Sequence, residues 1–310
     1  MSGAAAQAYS WQQSQWQGLE RLVQVDKLPH ALLVSGPAEI GKKQFAMALA
    51  TRLLCQTPVN GQACSKCKAC TLVLGDAHPD FFRVEPDDKG KAISVDKIRE
   101  LAAFVTKTAM FEGWRIALIE PAAAMTHSAA NALLKTLEEP GKQTLLILVH
   151  HQERELLATI RSRCQLLSMA IPEASLALEY LEQCNQRDPQ ELLEAASGRP
   201  LRALRIAEDG SLAQMQELEK ILAEVAEGTL SPLLAAEQGK SAPLADVLEW
   251  MSSILSRRLL AGAKTSVVAA RGQFLLLDQI VHAKKLLASK TNPNPQLLLE
   301  ELLLAWQRLH

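Results

Sequence analysis

The chain has 310 residues, 22% of them charged, and a formal net charge of −1. That length predicts two or three domains, each able to bury its own core. A charge so near zero excludes a strong global field that would draw the chain to DNA or anionic lipid. The apolar run Leu145–Val149 is far shorter than the roughly 20 residues a bilayer requires. The start Met1-Ser-Gly-Ala-Ala-Ala6 lacks a basic region followed by a long apolar segment. No secretory signal is expected there, and the expectation is a soluble, cytoplasmic protein.

In chain order, Ala31–Ser35 reads as a buried strand entering the string Gly36-Pro-Ala-Glu-Ile-Gly41-Lys42-Lys43. Gln44 to Cys55 then carries apolar residues at helical spacing, with Phe45, Ala48, Leu49 and Leu53 on one side. Strand, glycine loop and helix form the setting of a phosphate-binding loop, GxxxxGK followed by Ser or Thr. The glycines shape a backbone cradle, the lysine reaches the β/γ-phosphates and the hydroxyl holds Mg²⁺. Gly36, Gly41 and Lys42 are in place, but Lys43 stands where the hydroxyl belongs. An ammonium cannot ligate magnesium, and it puts positive charge where the metal would sit.

Cys55, Cys64, Cys67 and Cys70 follow as C-x₈-C-x₂-C-x₂-C. In a reducing compartment so tight a cluster reads as metal ligands rather than disulfides. Four thiolates close a tetrahedral zinc site of the structural kind, with no open position for water. Reduced, metal-free thiols are the alternative, and nearby His78 is not needed as a fifth ligand. Cys164 and Cys184 stand apart and read as ordinary buried thiols.

Further strands are predicted at Phe81–Val84, Arg115–Ile119 and Leu145–Val149. Between them lie a helix over Val95–Val105 and one over Ser128–Leu137, stopped near Glu138-Glu139-Pro140-Gly141. The alternation predicts a mainly parallel, three-layer α/β domain. After Pro172 strand signals cease. Residues 173–208 read as short helices broken by Asp188-Pro189 and Ser197-Gly198-Arg199-Pro200. From about 212 the pattern is helical, with Leu-rich helices over 244–261, 273–288 and 296–309. The last has Asn294 as N-cap and Pro295 in its first turn. These helices either form a self-contained bundle or bury one face against neighbouring subunits. Three parts result: an α/β domain over 1–170, a small helical domain over 171–208 and a helical domain over 209–310.

Two strings go further: Asn131-Ala-Leu-Leu-Lys-Thr-Leu-Glu-Glu-Pro140 and Thr159-Ile-Arg-Ser-Arg-Cys164. Together they resemble the bacterial clamp-loader branch of the AAA+ proteins, where LLKTLEEP precedes a strand and SRC follows it. The order here is the same, and the resemblance covers most of residues 28–205 through specific motifs. It implies an AAA+ α/β fold with a RecA-like parallel sheet in three layers and a zinc-binding insertion over 55–70. A small helical lid domain and an all-helical C-terminal collar are implied to follow. It also implies a hetero-pentameric ring with motor (gamma/tau) subunits and a delta subunit. In the family, that ring loads the sliding clamp on primer-template DNA for DNA polymerase III.

The same resemblance makes Arg163, the arginine of SRC, a finger that reaches a neighbouring subunit's ATP site. A guanidinium is always charged and bidentate, which suits the charge on a transferring phosphoryl group. Fingers supplied in trans are worth about 10³–10⁵ in rate. The alternative for Arg163 is a solvated or salt-bridging arginine.

The chain departs from hydrolysing members in several places. Glu120-Pro121 ends a strand where hydrolases place an Asp for magnesium and a Glu for water. Glu120 either takes the metal position or is a plain strand-end carboxylate, and Pro121 offers no base. His150 and His151 stand where a polar sensor would follow the strand, and packing or capping is the favoured reading. Arg199 and Arg202 are the candidates for a lid arginine, although the register does not favour them. The expectation is no intrinsic hydrolysis, with nucleotide binding at Gly36, Gly41 and Lys42 left open. Structural zinc is expected at the four cysteines. One rival is a weak ATPase or nucleotide-holding protein. Another is a zinc-dependent nucleic-acid module, opposed by the net charge and by only 4% aromatics.

Overall fold

The computed structural model describes residues 7–88, 90–111, 113–151, 156–239, 242–261, 267–287 and 293–309. The chain divides into two units, Met1–Leu176 and Ala177–His310.

In the first unit, a 3₁₀ turn (Ser10–Gln12) leads into α1 (Gln13–Gln24), then β1 (Ala31–Gly36), α2 (Lys42–Leu54) and α3 (Lys68–Leu74). Next come β2 (Phe81–Val84), α4 (Val95–Val105), β3 (Arg115–Ile119) and α5 (His127–Glu138). β4 (Thr144–His151), the short α6 (Ala158–Arg161) and β5 (Gln165–Ser168) complete it. The strands form one sheet in the order β2-β3-β4-β1-β5, and every pairing is parallel. Strands buried on both faces need continuous apolar runs rather than alternation, and β1, β3 and β4 have them.

Successive residues of these strands feed two separate cores. Leu32, Val34, Ile116, Leu118, Leu145, Ile147 and Val149 pack with Trp16 and Leu19 of α1, Phe45 and Leu49 of α2 and Val73 of α3. Leu33, Ala117, Ile119, Leu146 and Leu148 pack with Ile98 and Leu101 of α4, Leu133 and Leu137 of α5 and Ile160 of α6. Helices therefore cover both faces, which gives the expected three layers. β5 was not foreseen, and its residues Gln165, Leu166 and Ser168 are exposed along the sheet edge.

Register fixes where side chains meet. Ser35 pairs with His150, Gly36 with His151, and Ile119 with Leu148. The loop after β1, the residue after β3 and the end of β4 thus share one edge, the carboxyl end where α/β folds build sites. Gly36 is required there by space: a Cβ would lie 2.1 Å from the Met169 carbonyl oxygen. That approach is held by the Met169 N–H donating to Ser35 O at 2.8 Å. Away from this edge, fully buried Asp80 accepts the N–H groups of Met110 (2.8 Å) and Phe111 (2.9 Å) and faces Arg115 at 3.3 Å. His78 turns its Nδ1 to the Asp80 N–H at 3.0 Å.

The second unit is helical: α7 (Ala174–Gln183) enters it, followed by α8 (Pro189–Ala195), α9 (Pro200–Asp209) and α10 (Leu212–Glu227). Then come α11 (Pro232–Gln238), α12 (Leu244–Ala261), α13 (Val267–Leu287) and α14 (Pro295–Gln307). The expected end of the 273–288 helix at 288 lies outside the described residues, and the observed helix starts earlier, at Val267. Asp188-Pro189 and Arg199-Pro200, read as breaks, are helix starts, because proline suits a first turn whose N–H has no partner. One buried cluster runs from Ala177 to Trp306. The Trp306 indole donates to Leu222 O at 2.9 Å. Among the described residues no helix is long and apolar enough to cross a membrane.

Arg199 and Arg202 both end on Glu249 of α12, at 2.9 and 2.5 Å, and Lys284 reaches its other oxygen at 2.5 Å. Burial pushes the Glu249 carboxyl up, but Lys284 and Arg202 outweigh it and hold the group below the usual range. Replacing Glu249 by Gln leaves buried Arg202 without its counter-charge, at an expected cost of about 2 kcal/mol after discounting the partial exposure of Glu249. A depressed folded pKa contributes stability above the unfolded carboxylate value, about 4.3, that is lost as pH falls below it. Urea denaturation should therefore show the wild type and Glu249→Gln well separated at pH 7 and converging as the pH is lowered through 4.

Candidate functional site

The phosphate-loop candidate is assembled at the carboxyl edge of the sheet. Gly41 has φ +88°, and a Cβ there would meet the Tyr9 ring at 2.5 Å, so glycine is needed for both backbone and space. Tyr9 stacks on Trp11 with ring centroids 4.5 Å apart. The Trp11 Nε1 (3.1 Å) and Gln12 Nε2 (3.0 Å) both donate to the Ile40 carbonyl. The segment before α1 therefore clasps the loop, a feature absent from the sequence-based expectation. Its one signal is compositional: Tyr9 and Trp11 are two of the chain's seven tryptophans and tyrosines.

The two loop lysines have different fates. Lys42 is 2% exposed, and its ammonium folds back to donate to Gly36 O at 2.8 Å and to Pro37 O. Lys43 points to the strand ends, with Nζ 2.6 Å from Glu85 Oε1 and 2.9 Å from Glu120 Oε2. Glu85 follows β2 and Glu120 follows β3, so one ammonium joins adjacent strand ends to the start of α2. Burial acts against charge on Lys43, yet the two carboxylates more than compensate and raise its pKa. Burial likewise raises Glu120, and the lysine offsets this only in part.

His151 lies 3.9 Å from Glu120, but burial and the nearby Lys42 push its pKa down to about 4. It is neutral at pH 7, so this approach is not an ion pair. His150 turns its Nδ1 to Ser35 Oγ at 3.0 Å, across the β1–β4 pairing. His150 is thus bonded within the sheet, whereas the buried Nδ1 of His151 has no hydrogen-bond partner among the described residues. A cleft of about 670 Å³ opens beside these groups, lined by Lys43, Glu85, Asp88, Lys91, Glu120 and His151.

The four cysteines converge as their spacing predicts. Their sulfurs all lie within 4.8 Å of one another, with Cys55–Cys67 at 3.9 Å and Cys64–Cys70 at 4.0 Å. Sulfurs 2.3 Å from a tetrahedral zinc stand about 3.8 Å apart, so this donor set fits the ion. Backbone N–H groups of Cys64, Cys67 and Cys70 point at the sulfurs of Cys55, Cys64 and Cys67, at 3.3, 3.3 and 3.5 Å. Hydrogen bonds from Thr57 and from the backbone of Lys66 and Cys67 lower the Cys64 thiol to about 5. Burial raises Cys55 and Cys70. Asn60 and Gly61, both at positive φ, turn the intervening loop, and Trp16 Nε1 pins it by donating to Gly61 O at 3.2 Å. His78 is not among the clustered donors.

Arg163 follows α6, and its guanidinium is 36% exposed. Its Nε and one terminal nitrogen both reach Glu138 Oε1, at 2.8 and 2.5 Å, while the other donates to Thr159 O at 3.0 Å. Glu138 belongs to the LLKTLEEP string, so the two diagnostic strings meet in space through this pair. Neighbouring Cys164 packs against the apolar core under α5, and burial pushes its thiol up to about 11. Cys164 and Cys184 are only partly buried, less than their sequence setting suggested.

A family model described as "DNA polymerase III, delta subunit" matches residues 11–173, more than half of the chain. DNA polymerase III subunit delta' of Pseudomonas aeruginosa is 36% identical over 326 residues, spanning 98% of this chain and 98% of that protein. The delta' subunit of Escherichia coli (strain K12) is 31% identical over 316 residues, spanning 96% and 94%. Among solved structures, a DNA polymerase III gamma subunit-related protein of Thermotoga maritima has a TM-score of 0.48 at 18% identity, covering 95% of this chain and 99% of that one. Since full-length relatives above 30% identity and the family model point the same way, the chain belongs to the family of DNA polymerase III delta-prime subunits.

Proposed function

We propose that this chain is the ATP-silent subunit of a DNA polymerase III clamp loader, helping to place the sliding clamp on primed DNA. In this reading it supplies Arg163 in trans to the ATP site of a neighbouring motor subunit. The observation that carries it is the contrast between the cations. Lys42 is buried on the carbonyls of its own loop and Lys43, itself half exposed, is held between two carboxylates. The Arg163 guanidinium, bonded to Glu138, Thr159 O and Ser162 Oγ, has instead a half-exposed carboxylate as its one charged partner among the described residues. A surface pair of this kind is worth about 1 kcal/mol or less, so Glu138 can hold the guanidinium in place without locking it.

The α/β part, residues 1–170, then serves as the body that presents the finger. Residues 171–208 serve as the lid and 209–310 as the collar in a ring with motor and delta subunits. The exposed side chains of Leu233, Leu234, Phe274, Leu275 and Leu297 are apolar surface that a collar contact would cover. Zinc, held by Cys55, Cys64, Cys67 and Cys70, would staple the 55–70 loop, whose own apolar content is too small to fold it.

Three outcomes are expected. The isolated, zinc-loaded chain with Mg²⁺ should hydrolyse ATP no faster than its Lys42→Ala variant; clear turnover above that control would make the chain a motor. Arg163→Ala, tested in a reconstituted complex with only the neighbouring motor site active, should lower turnover by about 10³-fold while assembly persists. Unchanged turnover would remove the finger role. Cys67→Ser should abolish one bound zinc per chain and open residues 55–70 to proteolysis, read by metal analysis and limited digestion.

A further inference from the structure

Magnesium is the ion a phosphate-loop fold implies beside Lys42, and the residues here do not fit it. Mg²⁺ demands near-octahedral oxygen ligands at about 2.0–2.1 Å and usually keeps several waters. The oxygens that would serve are Glu85 Oε1 and Glu120 Oε2, and both already face the Lys43 ammonium, at 2.6 and 2.9 Å. The residue that should add a hydroxyl ligand is the one that brings this charge.

We propose that Lys43 is a tethered cation that has taken over the metal's place, filling the Glu85–Glu120 site from within the chain and turning away magnesium-bound nucleotide. The inference deepens the reading of an ATP-silent site and rests on it. Two further observations support it. Lys43 is the second residue of α2, and an ammonium is disfavoured at the positive N-terminal end of a helix. Only the carboxylates make the position favourable. Glu120 is 11% exposed, and among the described residues its one charged cationic partner is Lys43. A carboxylate that deeply placed requires a counter-ion. Glu85, which Lys43 approaches more closely, also has Arg83 Nε at 3.7 Å.

The tethered ammonium has a consequence that a plain surface salt bridge lacks. Removing it leaves two carboxylates around one ion-sized space, a ready divalent site. The experiment uses the zinc-loaded full chain, so that the cysteines are filled, with Mn²⁺ as probe and electron paramagnetic resonance as readout. Wild type should hold no Mn²⁺ at millimolar concentration. Lys43→Ser and Lys43→Ala should each bind one Mn²⁺ at least tenfold more tightly than wild type, and adding Glu120→Gln should abolish the gain. Thermal melts of each variant without Mn²⁺ establish that it is folded.

Glu120-dependent Mn²⁺ binding by wild type would overturn the proposal, as would two folded Lys43 variants that gain none. The wild-type arm stands even if both variants fail to fold. ATP turnover is scored separately in the same samples. Turnover by the wild type strikes at the ATP-silent function, whereas Mn²⁺ binding by the wild type strikes at the tethered cation.

Discussion

The close approach of Met169 to Gly36 sets the geometry on which the site depends. A Cβ at Gly36 would lie 2.1 Å from the Met169 oxygen, so a side chain would push apart the exits of β1 and β5. With none there, β1 stays in parallel register with both β4 and β5, and its end falls beside His151. The same register carries across β4 to β3, which delivers Glu120 next to the start of α2. Glycine at the end of β1 is therefore as much a requirement of sheet packing as of phosphate binding.

Charge within the first unit is resolved locally in nearly every case. Lys42 closes on the carbonyls of its own loop, Lys43 on two strand-end carboxylates, and Arg115 on buried Asp80. The helical unit repeats the habit, with Arg199, Arg202 and Lys284 gathered on Glu249. Buried or half-buried cations must be matched in this way, because an unpaired ion in low dielectric is costly. Arg163 is paired as well, but its partner Glu138 is half exposed, and water competes for both groups. Exchange of that carboxylate for a more highly charged phosphate oxygen is favourable for a guanidinium.

Legibility in the sequence followed how local each signal was. Helix α4 was readable to the residue because Ser94 caps it, accepting the Lys97 N–H at 3.4 Å, and Ile98, Leu101 and Val105 mark one face. The thiolate cluster was readable because its ligands lie within sixteen residues, and a turn and a short helix suffice to converge them. β5 was not readable, since a four-residue edge strand with exposed side chains carries no buried run. The proline-bearing breaks were readable, since α7, α8 and α9 are separated there, and a proline that cannot continue a helix is well suited to begin the next one. Lys43 was recognised as an obstacle to magnesium, but its partner Glu85, 42 residues away, came into view only with the sheet order.

That last case bears on how the strand ends and the start of α2 are held together. A phosphate loop that loses its hydroxyl has two carboxylate-bearing strand ends and a helix N-terminus left facing one another. The helix end favours the anions, yet two carboxylates sharing one small space repel, and burial already raises Glu120. An ammonium at position 43 relieves both problems at once, since it lies within 2.9 Å of both. Lys43 thus ties the start of α2 to the ends of β2 and β3. The ammonium proposed to take the metal's place is also a structural tie among three elements.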